Sequence, residues 1–491
     1  MAILKQTYIK IALIVATFLA LLLASKRIVD WSLQTSSLGI PSLDFPHHSA
    51  APDHLPPSSD GNNPKYWGYP LSPIPVSSTP STSTHGSVCN SFPDTSNILV
   101  IVKTGASESF AKVPTQLVTV LRCVSDFLVF SDMEQTIAGH YVHDSLQTVM
   151  STVKESNPNF GLYHKQKACV VDQQNCHTEG NQGKEFDAWS LDKYKNVHII
   201  EKTYKLRPNY DWYVFIDADT YVLWNNLVQW LGKLGDPSTS KRYLGSVAVT
   251  DDLYFAHGGS GYILSQATMQ DLAENHTGFA NKYDATAETL CCGDFVLAVA
   301  LNETIGLGVE QSWPTINGEN PYTIPYGSRE WCHPLGFEKR FYESRSAPHP
   351  TIRFKDIFHE FIAPKLTTRR DDWDNLSEDV LYINSDHSSG YTQWQRDHAR
   401  PLHMMLSVPA IEYEAYKSFE YCRRMCDGTP DCFQFSYHAG ACTYHKSFKL
   451  GKPAAKTDNE EDKWISGWNM DRIRAWVEGH QDCKDPVWPN V

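Results

Sequence analysis

Asp217 and Asp219 stand two residues apart, directly after the apolar run from Trp212 to Ile216. Residues at positions i and i+2 of an extended chain point to the same side, so both carboxylates can hold one hard cation. Such a cation would neutralise the negative charge that builds up on a diphosphate when a sugar leaves it. The alternative is a pair of solvated turn aspartates, but two charges that close a buried strand are costly without a partner. We therefore expect Mn²⁺ or Mg²⁺ at this position.

The elements that would position this site appear as continuous apolar runs. Runs from Ile98 to Val102 and from Phe127 to Phe130 are typical of buried parallel strands, and helical spacing extends between them from Val113 to Cys123. Strand, helix and strand in this order begin an α/β nucleotide-binding unit, whose ligands lie at the carboxyl ends of the strands. The residues that follow the two strands are therefore candidate nucleotide contacts, with a turn role equally open for each: Thr104, Gly105, Ser131 and Asp132.

Two segments that follow resemble a known family. Trp212 to Val222 reads WYVFIDADTYV, which resembles the metal-binding signature of glycosyltransferase family 31, the Fringe and core-1 β1,3-galactosyltransferase type, in its fungal form. Ala218 replaces the central aspartate of that signature. The stretch from Gly258 to Ser265 is similar to the family's glycine motif, in which backbone without Cβ atoms allows donor and acceptor to approach closely.

Three later segments extend the resemblance in the same order. Cys291 to Asp294 is similar to the family's acidic segment that supplies the general base, with Gly293-Asp294 in place of a Glu-Asp pair. Trp331 to Pro334 resembles the family's Phe-His-Pro segment, and Phe358-His359 resembles the pair whose imidazole completes the metal site. The resemblance extends from about Asn97 to Pro364.

The resemblance implies a GT-A fold, a mostly parallel sheet flanked by helices, and an inverting transfer of a hexose from a UDP-sugar to a glycan or glycoprotein. Transfer of galactose in β1,3 linkage is one candidate reaction. Asp294 would take the proton from the acceptor hydroxyl, although a carboxylate that stabilises a helix N-terminus is the other interpretation. The metal ligands would be Asp217, Asp219 and His359. Donor contacts would include Ala218 and Gly259. A stretch before the metal strand contains Trp189, Asp192 and Lys193, for which donor contact stands beside ordinary packing of the tryptophan and a solvated face for the charges.

Four cysteines are crowded near the C-terminus with the spacing C-x3-C-x5-C-x9-C: Cys422, Cys426, Cys432 and Cys442. The interleaved Phe433, Phe435 and Tyr437 alternate as in a half-buried strand. This pattern resembles a PAN/apple module, a small disulfide-rich α+β domain that binds protein or carbohydrate. A zinc site is the other interpretation of four close cysteines, and Cys483 is a candidate for a further bridge to an upstream cysteine.

The whole chain is typical of a secreted or lumenal protein. Its twelve cysteines and its sequons at Asn275, Asn302 and Asn375 indicate an oxidising compartment. Ile11 to Ala24 is uncharged and apolar, which predicts an uncleaved type II anchor in the Golgi or endoplasmic reticulum membrane, with a cleaved signal peptide as the rival. A net charge of -13 without a long basic run makes nucleic acid an unlikely partner.

These features predict the following boundaries: a cytosolic tail over 1–8, an anchor over 9–25, a Pro/Ser/Thr-rich stem over 26–96, a transferase domain over 97–365, a linker over 366–410 and a PAN/apple-like domain over 411–483. The main prediction is a UDP-sugar-dependent hexosyltransferase. The alternative is an inactive lumenal protein that binds carbohydrate or protein through its C-terminal module. A hydrolase with paired carboxylates is a weaker third option, because glycosidase carboxylates flank a sugar instead of sharing a metal.

Overall fold

The apolar runs form the strands that their composition predicts. In a computed structural model, the described residues are 89–90, 92–169, 184–250, 252–327, 329–334, 337–338, 351–384, 390–402, 409–459, 462–483 and 488–491. The predicted cytosolic tail and anchor, and the stem up to residue 88, lie outside them. Residues 83–491 form one compact unit.

The strands, in chain order, are β1 (Ile98–Lys103), β2 (Phe127–Ser131), β3 (Gln135–Ile137), β4 (His140–Asp144), β5 (Trp212–Asp217), β6 (Tyr221–Val222), β7 (Tyr243–Gly245), β8 (Val247–Thr250), β9 (Leu253–Ala256), β10 (Tyr262–Ser265), β11 (Glu310–Gln311), β12 (Phe337–Glu338), β13 (Arg370–Asp371), β14 (Trp373–Asp374), β15 (Val380–Tyr382), β16 (Gln434–His438), β17 (Ala441–His445), β18 (Lys452–Pro453) and β19 (Ile465–Trp468).

The α-helices are α1 (Ser109–Val118), α2 (Ser151–Ser156), α3 (Gly161–Ala168), α4 (Lys184–Asp192), α5 (Lys195–Leu206), α6 (Trp224–Leu231), α7 (Gln266–Gln270), α8 (Gly293–Ile305), α9 (Phe354–Ile357), α10 (Gln393–His398), α11 (Ala410–Tyr413), α12 (Phe419–Gly428) and α13 (Met470–Gly479). A π-helical segment, Phe358–Ile362, follows α9 directly.

An eight-stranded sheet holds the residues of interest. Its order is β11-β7-β10-β5-β1-β2-β4-β3. The central strands β5, β1, β2 and β4 pair in parallel, whereas β10 runs antiparallel to both β5 and β7. Because parallel strands end at a common edge, the residues that follow β1, β2, β4 and β5 are brought together there.

Helices cover both faces of this sheet. Alternate residues of β1 point to opposite faces: Leu99 and Ile101 pack in one apolar cluster with α5 and α8, and Ile98, Val100 and Val102 pack in another with α1 and α6. Burial on both faces is why these strands are continuously apolar instead of alternating. The mixed α/β fold with a mostly parallel, helix-flanked sheet confirms the fold-class prediction at that level.

The second sheet is antiparallel, with the order β13-β19-β16-β17-β15. The helix α12 packs on it, disulfide Cys422–Cys442 joins the helix to β17, and disulfide Cys426–Cys432 joins it to the segment before β16. These pairings exclude the zinc interpretation of the four cysteines. The strand predicted around Phe435 is confirmed as β16.

Two predicted boundaries differ from the structure. The predicted linker 366–410 contributes β13 and β15 to the second sheet, because their backbone groups pair with β19 and β17. The short apolar run from Val380 to Ile383 was a usable signal for β15, whereas the two polar residues of β13 gave none. At the other end, Cys89 is disulfide-bonded to Cys123 and Phe92 packs against Trp224, so residues assigned to the end of the stem belong to the folded unit.

The second sheet is firmly joined to the first part of the chain. The predicted bridge from Cys483 is confirmed as Cys332–Cys483. A shared apolar cluster includes Trp331 and Phe358 from one side and Phe448 and Trp468 from the other. The chain end also returns to α6, where Trp230 Nε1 donates to the Pro489 carbonyl at 2.9 Å.

Within the described residues, no helix has both the length and the apolar character needed to cross a bilayer.

Candidate active site

A buried lysine is the centre of the site at the carboxyl edge of the first sheet. Lys103 is the last residue of β1, and its Nζ lies 2.7 Å from Asp192 Oδ2 and 3.3 Å from Asp217 Oδ1. Burial alone would lower the pKa of this ammonium, but the charges of Asp192 and Asp217 outweigh that effect and hold the pKa above its ordinary value. Lys103 was not among the residues predicted from sequence, although a charge that ends a buried apolar strand was a usable signal.

Asp217 is held in an unusual environment. Burial raises the pKa of its carboxyl to about 6, with the charge of Lys103 acting against the shift and the charges of Asp192 and Asp219 adding to it. The backbone at Ala218 is fixed from both sides, since its N–H donates to the Lys103 carbonyl at 2.9 Å and its carbonyl accepts from Gln116 Nε2 at 2.8 Å. This anchoring presents the two outer carboxylates without any contribution from the side chain at position 218.

Asp219 is more exposed and faces α1. Its Oδ2 lies 3.2 Å from Nζ of Lys112, which also pairs with Glu108 Oε2 at 2.7 Å. A cleft of about 400 Å³ opens beside this pair, and its polar lining includes Lys112, Thr115, Gln116, Thr119, Asp219 and Tyr221. The cleft is large enough to take one monosaccharide or a similar group.

Two hydrogen bonds connect the aspartate segment to the predicted base. Thr220 Oγ1 donates to the Gly259 carbonyl at 3.1 Å, and Gly258 N–H donates to Asp294 Oδ2 at 2.8 Å. The other carboxylate oxygen of Asp294 accepts from the Phe295 N–H at 2.9 Å. Residues that are far apart in the chain therefore meet in one site, as their motif order predicts.

The glycine before Asp294 has a packing reason. A Cβ atom at Gly293 would lie 2.4 Å from the Asp192 carbonyl oxygen, so α8 can start against α4 only with glycine at this position. The close approach brings Asp294 towards Lys103, whose pKa is raised in part by the charge of Asp294. This contact explains why a glycine, and not the glutamate of a Glu-Asp pair, precedes Asp294.

A second lysine, the buried Lys195, connects the end of β2 to the same network. Lys195 Nζ lies 3.8 Å from Asp132 Oδ1 and 3.6 Å from Asp192 Oδ1, and it donates to the Thr104 carbonyl at 3.2 Å. Ala106 N–H donates to Asp132 Oδ1, whereas the buried Asp132 Oδ2 has no hydrogen-bond partner among the described residues. Such an atom is uncommon in a folded protein and is compatible with a further ligand or water.

Several of the residues predicted to contact the nucleotide form hydrogen bonds within the turns that follow their strands. Ser131 is buried, and its hydroxyl bonds to Met133 within the turn after β2. Gly105 N–H faces Glu108 Oε1 at 3.4 Å, and the Thr104 side chain is buried beside the same carboxylate. These positions shape the turns at the sheet edge.

The stretch at the end of α4 that was predicted to approach the donor lies only partly in the site. Lys193 lies over the half-exposed Trp189 ring at 5.7 Å from its centroid, and its Nζ faces the Glu288 carbonyl at 3.5 Å. Asp192, in contrast, is a direct partner of Lys103. Of the three residues predicted in this stretch, the structure brings Asp192 into the network.

The structure does not bring His359 to the two aspartates. Its Nε2 lies 3.4 Å from Gln481 Nε2, and its ring packs edge-on against Trp331, in the contact region with the second sheet. Among the described residues, no three His, Cys, Asp or Glu side chains are grouped so that they could hold a metal ion. The predicted three-residue ligand set is therefore not assembled.

The charge balance of the site nevertheless fits a cation. In the network at the ends of β5, β1 and β2, the carboxylates of the described residues outnumber the ammonium groups by six to three: Glu108, Asp132, Asp192, Asp217, Asp219 and Asp294 face Lys103, Lys112 and Lys195. Magnesium-type ions are commonly held by one or two carboxylates and complete their shell with water and substrate phosphates. Asp217 and Asp219 fit that role without a histidine.

No protein-family model and no curated protein matches the chain. Among solved structures, it is similar to the crystal structure of mannose-1-phosphate geranyltransferase from Thermus thermophilus. The likeness covers 43% of this chain and 72% of that chain, at 8% sequence identity and a TM-score of 0.20. This similarity is too weak to bear on the fold or the function.

Proposed function

We propose that the chain is an inverting glycosyltransferase of the GT-A type that moves a hexose from a UDP-sugar to a glycan or glycoprotein acceptor. The proposal includes the lumenal, membrane-anchored setting that the N-terminal sequence predicts. It is supported above all by the two hydrogen bonds that join the Asp217–Asp219 segment, through Thr220, Gly259 and Gly258, to Asp294. They unite a candidate diphosphate site with a candidate base at the edge where α/β sheets bind ligands.

Lys103 and Lys195 provide fixed positive charge next to the leaving group. Both side chains are nearly buried, with 12% and 3% exposure, and each is held by two carboxylates. Fixed charges in a partly water-excluded site stabilise charge that develops in a transition state better than mobile solvent does. In this role the lysines favour the diphosphate product state.

Asp294 is the group that takes the acceptor proton. Each of its oxygens accepts one backbone N–H, and each retains a second lone pair. Its position at the start of α8 is fixed by the contact of Gly293 with Asp192. The carboxylate therefore has one orientation, which a general base requires.

Mn²⁺ or Mg²⁺ bound by Asp217 and Asp219 would supply Lewis-acid stabilisation of the departing UDP. The excess of carboxylates over lysines supports this part of the proposal, and His359 is not included in it.

The test is UDP release by the purified full-length protein from a panel of UDP-sugars, with glycan acceptors and with Mn²⁺, Mg²⁺ or chelator. We expect turnover of one donor that requires metal, and a loss of about 10²-fold or more in Asp219→Asn and in Asp294→Asn. Asp471→Asn is the matched control, because Asp471 is 93% exposed and lies on α13. Folded protein that neither binds nor turns over any UDP-sugar would refute the transferase and direct attention to glycan binding by the second sheet.

A further inference from the structure

Three lysines converge where β4 ends, one strand beyond β2 on the same sheet edge. They come from different helices: Lys154 from α2, Lys167 from α3 and Lys202 from α5. We call them the three-lysine cluster. Lys202 follows Lys195 by seven residues on α5, which corresponds to about 10 Å along a helix axis, so the cluster is separate from the network around Lys103.

The single carboxylate within ion-pair distance of this cluster, among the described residues, is Asp144. Its Oδ2 accepts from the Tyr163 hydroxyl at 2.9 Å and lies 3.1 Å from Lys167 Nζ. Its Oδ1 accepts from the Leu146 N–H at 2.8 Å. The ion pair of Asp144 is thus with Lys167, and its charge acts on the other two lysines only from a longer distance.

The other two ammonium groups face neutral oxygens. Lys154 Nζ donates to the carbonyls of Leu146 and Gln147 at 3.4 and 3.0 Å. Lys202 Nζ donates to the Asp144 carbonyl and to Gln147 Oε1, the latter at 3.3 Å. Counted by ion pairs among the described residues, three ammonium groups therefore share one carboxylate in a chain whose net charge is -13.

The pKa values in this region are lowered. Burial is the largest cause of the lowering of the Lys202 pKa to about 8, and Lys154, Lys167 and Lys205 add to it against the opposite effect of Asp144. Burial also lowers the pKa of Lys154, where Lys167 adds to the effect and Asp144 and Asp284 oppose it. For His143, burial lowers the pKa first, and Lys202 and Arg207 add to it against Glu134. Burial thus accounts for most of the shifts, and neighbouring cations contribute to each of them.

We propose that the three-lysine cluster binds a tetrahedral oxyanion, a phosphate or sulfate group, at a site separate from the candidate active site. Lysine is a common phosphate ligand because its ammonium is a compact point charge with three donors. Ammonium groups from three helices are held at one turn by Asp144, Leu146 and Gln147, so that binding of such a group costs little side-chain freedom. The proposal does not depend on transferase activity.

The test is calorimetric titration of the full-length protein with inorganic phosphate, inorganic sulfate and a hexose 6-phosphate. We expect saturable binding that weakens by about tenfold in Lys154→Gln and in Lys167→Gln, and that returns in Lys154→Arg. Lys165→Gln is the matched control, since Lys165 is an exposed lysine on the same helix as Lys167. Because Lys167 is 45% exposed, its variant should fold normally, which circular dichroism checks.

The ligand's source follows from the same titrations. Tighter binding of the hexose phosphate than of inorganic phosphate supports a site for a phosphorylated glycan, and equal binding supports one for the free anion. Absence of binding by any probe, or equal affinity in all variants, would overturn the proposal. A parallel loss of UDP binding in Lys154→Gln would also overturn it, because the cluster would then belong to the donor site.

Discussion

At the carboxyl ends of β5, β1 and β2, the described residues include six carboxylates in a network with three lysines, whereas at the end of β4 three lysines share one carboxylate. The two regions are adjacent on one sheet edge. Their backbones are built in the same way, and their charge balance is opposite. A parallel sheet thus supplies a common edge, while the charged side chains decide which kind of ion each part attracts.

The sharpest way to test the contrast is to remove the central lysine of the first region. Lys103→Met leaves Asp192 and Asp217 without their shared partner, and we expect a loss of about 3–5 kcal/mol in the free energy of unfolding. Urea denaturation measures it. Lys112→Met, at a more exposed ion pair, should cost less than about 1 kcal/mol. Equal effects of the two substitutions would show that the charges around Lys103 are solvated.

A smaller effect is expected from the contact that brings Asp294 to this region. Gly293→Ala places a Cβ atom 2.4 Å from the Asp192 carbonyl, and the required shift should destabilise the protein by roughly 1–3 kcal/mol. Thermal unfolding checks this result. Gly308→Ala is the control, because no atom lies within 4 Å of a Cβ built there. An unchanged melting temperature in both variants would contradict the close approach of α8 and α4.

The second region should respond to pH in the opposite sense from a stabilising ion pair. Lys202 has a pKa of about 8 in the folded state against 10.5 ordinarily, so the folded protein binds fewer protons than the unfolded chain between these values. Stability should therefore rise with pH across this window relative to Lys202→Gln, by roughly 1 kcal/mol, because solvent screening of a partly buried group reduces the full linkage value of about 3 kcal/mol. Anion binding should fall over the same range as the ammonium is lost.

Besides burial, the charged groups that set this pKa are Asp144 at the end of β4, Lys154, Lys167 and, on the same helix, Lys205. Unfolding curves of wild type and variant between pH 7 and about pH 10 measure the difference. Parallel stability profiles would mean that Lys202 titrates normally and that the region has no excess positive charge.

The smallest effect on stability is expected at Lys167, where anion binding and stability should change to different extents. Lys167 is 45% exposed, so Lys167→Ala should change the free energy of unfolding by less than about 1 kcal/mol. Phosphate affinity should nevertheless fall, because the variant removes a cation from the proposed site. A large loss of stability would indicate that Lys167 acts mainly as a structural partner of Asp144.

Much of the first region could be predicted from sequence. Strands β1, β2 and β5 appear as apolar runs because both of their faces are buried, and Asp217 and Asp219 follow from strand geometry. The glycine segment and Asp294 were selected by motif order, and the structure joins them through Gly258. The structure does not place His359 in the predicted site, since its neighbours Trp331 and Gln481 belong to the contact with the second sheet.

By itself, the sequence determined which segments form buried strands and where carboxylates follow them, because burial and side-chain alternation are local properties of the chain. Only the tertiary structure decided that Lys103 would be shared by Asp192 and Asp217, that residues 366–410 would supply strands to the second sheet, and that three lysines would meet at Asp144. These outcomes depend on distances between residues from different helices and strands. Electrostatic energy falls with distance through space, and the order of residues along a chain does not specify that distance.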